Sequence, residues 1–330
     1  MRMIVIPRLG GPEVLTIIEV ERPTAGPDEV LIKLRFAGLT YGDVYQREGT
    51  YRSGAPLKES EAPLRIGGEG AGMAAAVGAN VTHLKEGDEV VYCDHLGSYA
   101  EYVAVPAWRV VKIPPGISLR DAAAVFSLGA TAHYLAYDTG KLRPGFSCLV
   151  HAGAGGLGHL LIQFAKMLGS SVLTTVGNEE KAKFVRELGV NKVILYRQAD
   201  FLAAVREWGD GKGVDVVFDS VGQATIQKSI RSVRPHGLCV LCGNSSGLVD
   251  TISPMELAAA GSIFFTRPRL SHHMRTRDEI MKRADDMFSS LRDGRLRVAV
   301  GRVFPLEQAG EAHRLLQSRE TIGKIMLSVA

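Results

Sequence analysis

The chain has 330 residues, a length that suits two domains with separate cores better than one. Its 46% apolar and 22% charged residues are those of an ordinary globular protein, and no apolar run approaches membrane-spanning length. A formal net charge of +4, without any Lys/Arg-rich run, suits a small anionic ligand and argues against nucleic acid or membrane as partners.

Met3-Ile4-Val5-Ile6 opens the chain as a strand with no leader pattern before it. Up to about residue 120 the pattern is β-rich, with strands expected at Val30–Phe36 and Glu89–Tyr92 and frequent Gly or Pro between them. Gly67-Gly68-Glu69-Gly70-Ala71-Gly72 leads into a strand of small residues, Met73–Gly78, and with no helix following it is no nucleotide turn. From about Asp121 helices and strands alternate. Strands are expected at Cys148–His151, Val172–Val176, Lys192–Leu195, Val214–Asp219, Leu238–Cys242 and Ile263–Phe265, the pattern of a doubly wound parallel sheet. An amphipathic helix, Arg277–Arg292, carries its apolar stripe on Ile280, Ala284, Met287, Phe288 and Leu291, with Gly294 as C-cap. A strand, a helix at Leu306–Gln317 and a last strand at Lys324–Val329 return the tail to the first domain. The expected division is 1–123 with 267–330 for the β-rich domain and 124–266 for the α/β domain.

The stretch after Cys148 carries the most chemistry. An apolar strand runs into Gly153-Ala154-Gly155-Gly156-Leu157-Gly158, and helical spacing follows at once, as in a dinucleotide-binding βα turn. Here Gly153 takes the sharp turn, Gly155 lets the backbone approach a pyrophosphate, and Gly158 lets helix pack closely on strand. The helix N-terminus presents unpaired N–H groups to the phosphates. The next strand, Val172–Val176, ends in Gly177, where an NAD site would place Asp or Glu. A glycine there leaves room for a 2′-phosphate, Lys181 follows one turn on, and Tyr196-Arg197 closes the next strand, so NADPH is expected over NADH. Glu179-Glu180 falls in the next helix's first turn and suits its positive end.

Other residues invite chemistry and are read as structural. Cys239-Val240-Leu241-Cys242 lies in a buried strand that turns the two thiols to opposite faces, so no metal or redox role is expected. Cys93, Cys148, Cys239 and Cys242 read as reduced thiols of a cytoplasmic protein. His272-His273 falls on an exposed loop, His133 and His159 lie in helices, and His151 ends a strand, where packing and turn support are its expected work.

With these motifs the chain resembles the medium-chain dehydrogenase/reductase superfamily, and within it the zinc-free quinone oxidoreductase (zeta-crystallin-like) branch. The resemblance rests on Gly10-Gly11-Pro12-Glu13-Val14-Leu15, on Gly38-Leu39-Thr40-Tyr41-Gly42-Asp43 with Tyr45 and Arg47, and on His151–Gly158 with Gln163 and Lys166. Asp219-Ser220-Val221-Gly222, Gly243-Asn244-Ser245-Ser246-Gly247 and Thr266-Arg267-Pro268 complete it, the last two being similar to bacterial NADPH:quinone oxidoreductases. It implies a Rossmann doubly wound sheet domain and a β-rich GroES-like catalytic domain. Zinc-dependent members carry a Cys after the Gly38 position and a Gly-His-Glu. This chain has Thr40 there and Gly67-Gly68-Glu69, so no metal is expected.

The resemblance implies that Tyr41, Gly42 and Asp43 border the nicotinamide and that Thr131 contacts its carboxamide. It gives Ala154–Leu157 to the pyrophosphate and Gly177, Lys181, Tyr196 and Arg319 to the 2′-phosphate. Gly243, Asn244 and Ser245 would line the cofactor groove, and Tyr45 and Arg267 would face the substrate as catalytic residues. Thr40 and Leu128 depart from the Asn and Lys usual in the branch. The implied activity is NADPH-dependent hydride transfer to a quinone. The alternatives are reduction of an enone or 2-alkenal double bond, and a cofactor-regulated RNA- or partner-binding role. A homodimer paired through the edge strand near Ile263–Thr266 is expected.

Overall fold

A computed structural model describes residues 1–50 and 63–329. The chain begins with β1 (Arg2–Ile6), β2 (Thr16–Glu19), β3 (Glu29–Leu39) and α1 (Tyr41–Glu48). Then come β4 (Leu64–Arg65), β5 (Glu69–Val77), β6 (Glu89–Cys93), β7 (Tyr102–Pro106), β8 (Val111–Lys112) and α2 (Leu119–Tyr134). From there strands and helices alternate: β9 (Ser147–Val150), α3 (Gly158–Met167), β10 (Ser171–Val176), α4 (Glu179–Glu187), β11 (Lys192–Leu195) and α5 (Phe201–Trp208). The alternation continues with β12 (Val214–Asp219), α6 (Ile226–Ser232), β13 (Val233–Leu241), α7 (Pro254–Ala259) and β14 (Phe264–Thr266). The closing elements are α8 (Arg277–Arg292), β15 (Val300–Pro305), α9 (Ala309–Ser318) and β16 (Lys324–Ser328).

Two compact units result, Met1–Ala130 with Met274–Ala330 and Thr131–His273. The first crossing falls inside α2, between Ala130 and Thr131. In the first unit β15-β16-β3-β5-β6-β8 form a sheet with β7 also on β3, and β2-β1-β4 form a smaller one. Pairing of β16 with β3, from Ile325 opposite Leu39 to Ser328 opposite Phe36, carries the end of the chain back to its beginning. Ile4, Val30, Ile32, Leu34, Tyr92, Val105 and Leu327 are among the residues of this unit's own core.

The second unit is a six-stranded sheet in the order β11-β10-β9-β12-β13-β14. Every neighbouring pair in it is parallel. Its strands read as apolar runs because both faces are covered. The order reverses between β9 and β12, leaving a crevice at the C-terminal ends of the strands on either side.

Three segments differ from sequence expectation. β13 starts at Val233 rather than Leu238, since Arg234, Pro235, left-handed His236 (φ 59°) and Gly237 mask a strand that is irregular where it meets β12. β5 takes in Glu69–Gly72, which the glycine pattern places before the strand. The helix expected at Leu306–Gln317 is a 3-10 turn, Leu306–Gln308, followed by α9.

Two buried polar links hold the first unit. Lys324 of β16 and Glu69 of β5 pair while 1% and 2% exposed. Arg47 of α1, fully buried, donates to the Gly10 carbonyl at 3.0 Å, to Gln317 at 3.0 Å and to His313 Nδ1 at 2.9 Å. A guanidinium only donates, so Nδ1 is bare, and Nε2–H points to the Tyr99 hydroxyl at 3.2 Å. Burial, reinforced by Arg47, pushes His313 down to about 3, so the ring stays neutral and fixes α9 against α1.

Removing one partner of a buried ion pair strands the other charge, at a cost of about 3–5 kcal/mol. Lys324→Met is expected to lower unfolding stability by that order in urea titration. Adding Glu69→Gln should recover most of the loss.

Candidate functional site

At the crevice the end of β9 turns through His151, Ala152 and Gly153 into α3. The left-handed residue is Ala152 (φ 52°) rather than Gly153. Gly153 is needed for space, since a Cβ there would lie 2.0 Å from Thr174 Oγ1. Gly158 packs against the turn itself: its Cβ would fall 2.3 Å from the Ala152 carbonyl oxygen. No side chain caps the start of α3. With Gly155, Gly156 and Leu157 partly exposed and Ala154 buried, the turn offers a main-chain cradle for an anion.

β10 ends at Gly177, and the Tyr196 hydroxyl stands 3.1 Å from where a Cβ on that glycine would be. Tyr196 is 44% exposed, so its ring lies open beside the glycine. Asn178 caps α4 by accepting from the Lys181 N–H at 3.0 Å, which fixes Lys181 in the helix's first turn. Glu179 is engaged by Arg186. No carboxylate occupies the end of β10 itself.

On the other side of the switch, β12 ends at Asp219, and β13 leads into 243–247. That segment lies along 220–224, with Ser245 N–H on Ser220 O at 3.3 Å and Ser246 N–H on Val221 O at 2.8 Å. Gly243, buried Asn244 and Ser245 thus sit beside the loop after β12. Beyond β14, exposed Arg267 donates to the Pro268 carbonyl at 3.1 Å and acts electrostatically on Cys242. Thr131 lies in α2, half-buried. Cys239 and Cys242 are free, and burial raises both thiols. His273, placed by sequence on an exposed loop, is half-buried and stacks on Tyr134 at 4.1 Å, because Tyr134 ends α2 with its ring available.

In the first unit Thr40 and Asp43 form a capping box at the start of α1. The Thr40 N–H and hydroxyl donate to Asp43 Oδ2 at 2.7 and 3.1 Å. Asp43 is 3% exposed, and burial raises it to about 6. Glu69 adds to that rise, while the Thr40 N–H and Lys324 oppose it. Its carboxylate therefore holds the helix start, and Tyr41 and Gly42 carry what α1 presents.

Tyr41 donates to the Leu316 carbonyl at 3.3 Å, and its ring lies 5.9 Å from that of Tyr45, which is 7% exposed. Arg319, left-handed (φ 61°) at the C-cap of α9, stands beside the Tyr41 hydroxyl. Tyr41 and Arg319 are thus neighbours within the first unit.

Two family models match the chain: a zinc-binding dehydrogenase model over residues 156–290 and an alcohol dehydrogenase GroES-like domain model over 26–115. A 2-haloacrylate reductase from a Burkholderia species is 39% identical over 98% of this chain and 97% of its own. Quinone oxidoreductase 1 of Escherichia coli is 36% identical over 96% of each chain. The chain belongs to the medium-chain dehydrogenase/reductase superfamily, in its quinone oxidoreductase branch. The crystal structure of an Escherichia coli quinone oxidoreductase complexed with NADPH matches with a TM-score of 0.94 over 99% of this chain and 100% of that one, at 35% identity. A 2-haloacrylate reductase structure matches at 0.84 and 38%, covering 99% of each chain.

The capping box gives a signed pH dependence. A carboxyl raised from 3.8 to about 6 in the folded state contributes stability below its unfolded value and loses it as pH rises through the folded one. Asp43→Asn keeps an oxygen to accept the Thr40 N–H and removes that loss. Its stability relative to the parent protein, read by thermal melts across pH, should rise between about 4 and 6 and then level off.

Proposed function

We propose that the protein is an NADPH-dependent reductase of quinones that works without zinc. The observation that carries the cofactor is the end of β10, where Gly177 replaces a ribose-binding acid and Tyr196 offers a hydroxyl beside it. Lys181 adds a cation on the first turn of α4, suited to a 2′-phosphate. The turn from Ala152 to Gly158 and the uncapped start of α3 would take the pyrophosphate. By resemblance Arg319 is also proposed for the 2′-phosphate, and within its own unit it stands beside Tyr41.

When bound, NADPH supplies the hydride. The protein's work is then to hold the reactants and to stabilise the oxygen that gains charge. Exposed Arg267 is a cation suited to that oxygen. Tyr45 supplies a ring and a hydroxyl on the last turns of α1. A quinone draws hydride readily and its oxygens take protons from solvent, so no dedicated acid is required. Gly68 has no side chain to bind a metal, and the Glu69 charge is already met by Lys324, which supports chemistry without zinc. Among the described residues, no group of three or more His, Cys, Asp or Glu could hold a metal ion.

We further propose a cytoplasmic homodimer. β14 ends the parallel sheet with Phe264 66% exposed, an edge suited to a second copy, and the four cysteines are unpaired. A second substrate reading is favoured by the 39% identity to a 2-haloacrylate reductase: an activated carbon–carbon double bond, which needs a proton at carbon as well as hydride.

Initial rates of NADPH and NADH oxidation with 1,4-benzoquinone, a polycyclic quinone and a 2-haloacrylate test the reading. Rapid NADPH-linked turnover of the quinones supports it, and turnover of the haloacrylate alone replaces it. Gly177→Asp, which sets a like charge against the 2′-phosphate, should cut kcat/KM for NADPH by more than about tenfold and spare NADH.

A further inference from the structure

His151, at the end of β9, is 2% exposed and has both ring nitrogens engaged. Nδ1 lies 3.0 Å from the Thr175 hydroxyl and Nε2 lies 3.0 Å from Ser229 Oγ. The direction of these bonds is set from the far end. Ser229 gives its one hydroxyl proton to the fully buried Asp219 carboxylate, at 2.6 Å from Oδ2. Ser229 must then accept from Nε2–H, which leaves Nδ1 bare to accept from Thr175. The Thr175 oxygen, its own proton committed, accepts the Ala152 N–H at 3.2 Å. Burial lowers the His151 pKa against the pull of Asp219, and a neutral ring is what this order requires. The Phe201 ring stands edge-on at 4.7 Å and holds the imidazole plane.

Each end of the chain of bonds is a loop of the crevice. At one end Ala152 holds a left-handed conformation that a residue with a Cβ adopts at a cost, and its carbonyl accepts the Gly155 N–H at 2.9 Å. At the other, Asp219 Oδ1 takes the N–H groups of Val221 and Gly222 at 2.8 and 2.9 Å, and its carboxylate also takes the Thr225 hydroxyl. We propose that His151 is a positioning residue. The one-way path Ala152–Thr175–His151–Ser229–Asp219 locks the turn after β9 and the loop after β12 into one arrangement, and nucleotide affinity depends on it. The imidazole exchanges no proton with substrate; it acts through the Ala152 main chain. The proposal rests on assignment of this turn to the cofactor pyrophosphate.

The test uses the full chain with Thr175→Val, which removes the hydroxyl at nearly constant volume, Thr175→Ser, which restores it, and Ser229→Ala. NADPH affinity is read by nicotinamide fluorescence, kcat and KM by quinone turnover, and protection of amides 152–158 by hydrogen exchange with and without NADPH. Thr175→Val should raise the Kd and KM for NADPH about tenfold with kcat nearly unchanged, and Thr175→Ser should restore both. Ser229→Ala should act in the same direction, and the Val/Ala double variant should be little worse than either alone, as members of one chain behave. A lower melting point with unchanged NADPH affinity in both Thr175→Val and Ser229→Ala would make the path merely structural and overturn the proposal. Absence of NADPH protection at 152–158 in the parent protein would remove the pyrophosphate assignment, and the proposal with it.

Discussion

A carboxylate with no access to water must have its oxygens met by donors, and Asp219 at the end of β12 is such a group. Its donors are the Val221 and Gly222 main chain and the Thr225 and Ser229 hydroxyls. Satisfying it shapes the loop after β12, and Ser229 passes the constraint on through His151 to the turn after β9. The 243–247 segment is laid along the same loop by main-chain bonds. The crevice of the parallel sheet, where a dinucleotide is expected to lie, is therefore bordered by three loops whose shapes are not independent.

The first unit meets the same demand differently. Glu69 is paired with Lys324 and Arg47 with Glu48, and the neutral ring of His313 accepts a further N–H of the guanidinium. These links fix α1 and α9, and with them Tyr41 and Arg319. Asp43 shows the cost of the arrangement, because a carboxylate spent on a helix cap in this setting ionises only with difficulty.

The fold was legible where hydrophobic period and glycine punctuation agree, as in β9, β10, β11 and α8, whose ends lie within a residue of expectation. It was hidden where they conflict, as in the Val233–Gly237 part of β13. The glycine turn was legible as a motif, but its mechanics were not: the positive φ falls on Ala152, and Gly153 answers to the Thr174 side chain on the neighbouring strand. The Thr40–Asp43 pair has the spacing of a capping box, a signal available in the sequence. Nothing in the sequence could join His151 to Thr175, Ser229 and Asp219, or Arg319 to Tyr41, since only the sheet order and the packing of α9 bring them together.

Cofactor choice turns on whether the end of β10 reads the 2′-phosphate, and the separate 2′-phosphate resonance in phosphorus-31 NMR of bound NADP⁺ reports on that group. Free in water, the dianion of such a phosphate takes up a proton at about pH 6. Held beside Gly177 by Lys181 and Tyr196, its resonance should shift on binding and stay that of the dianion as pH falls through that value. A bound nucleotide whose 2′-phosphate still titrates like the free one would contradict the assignment.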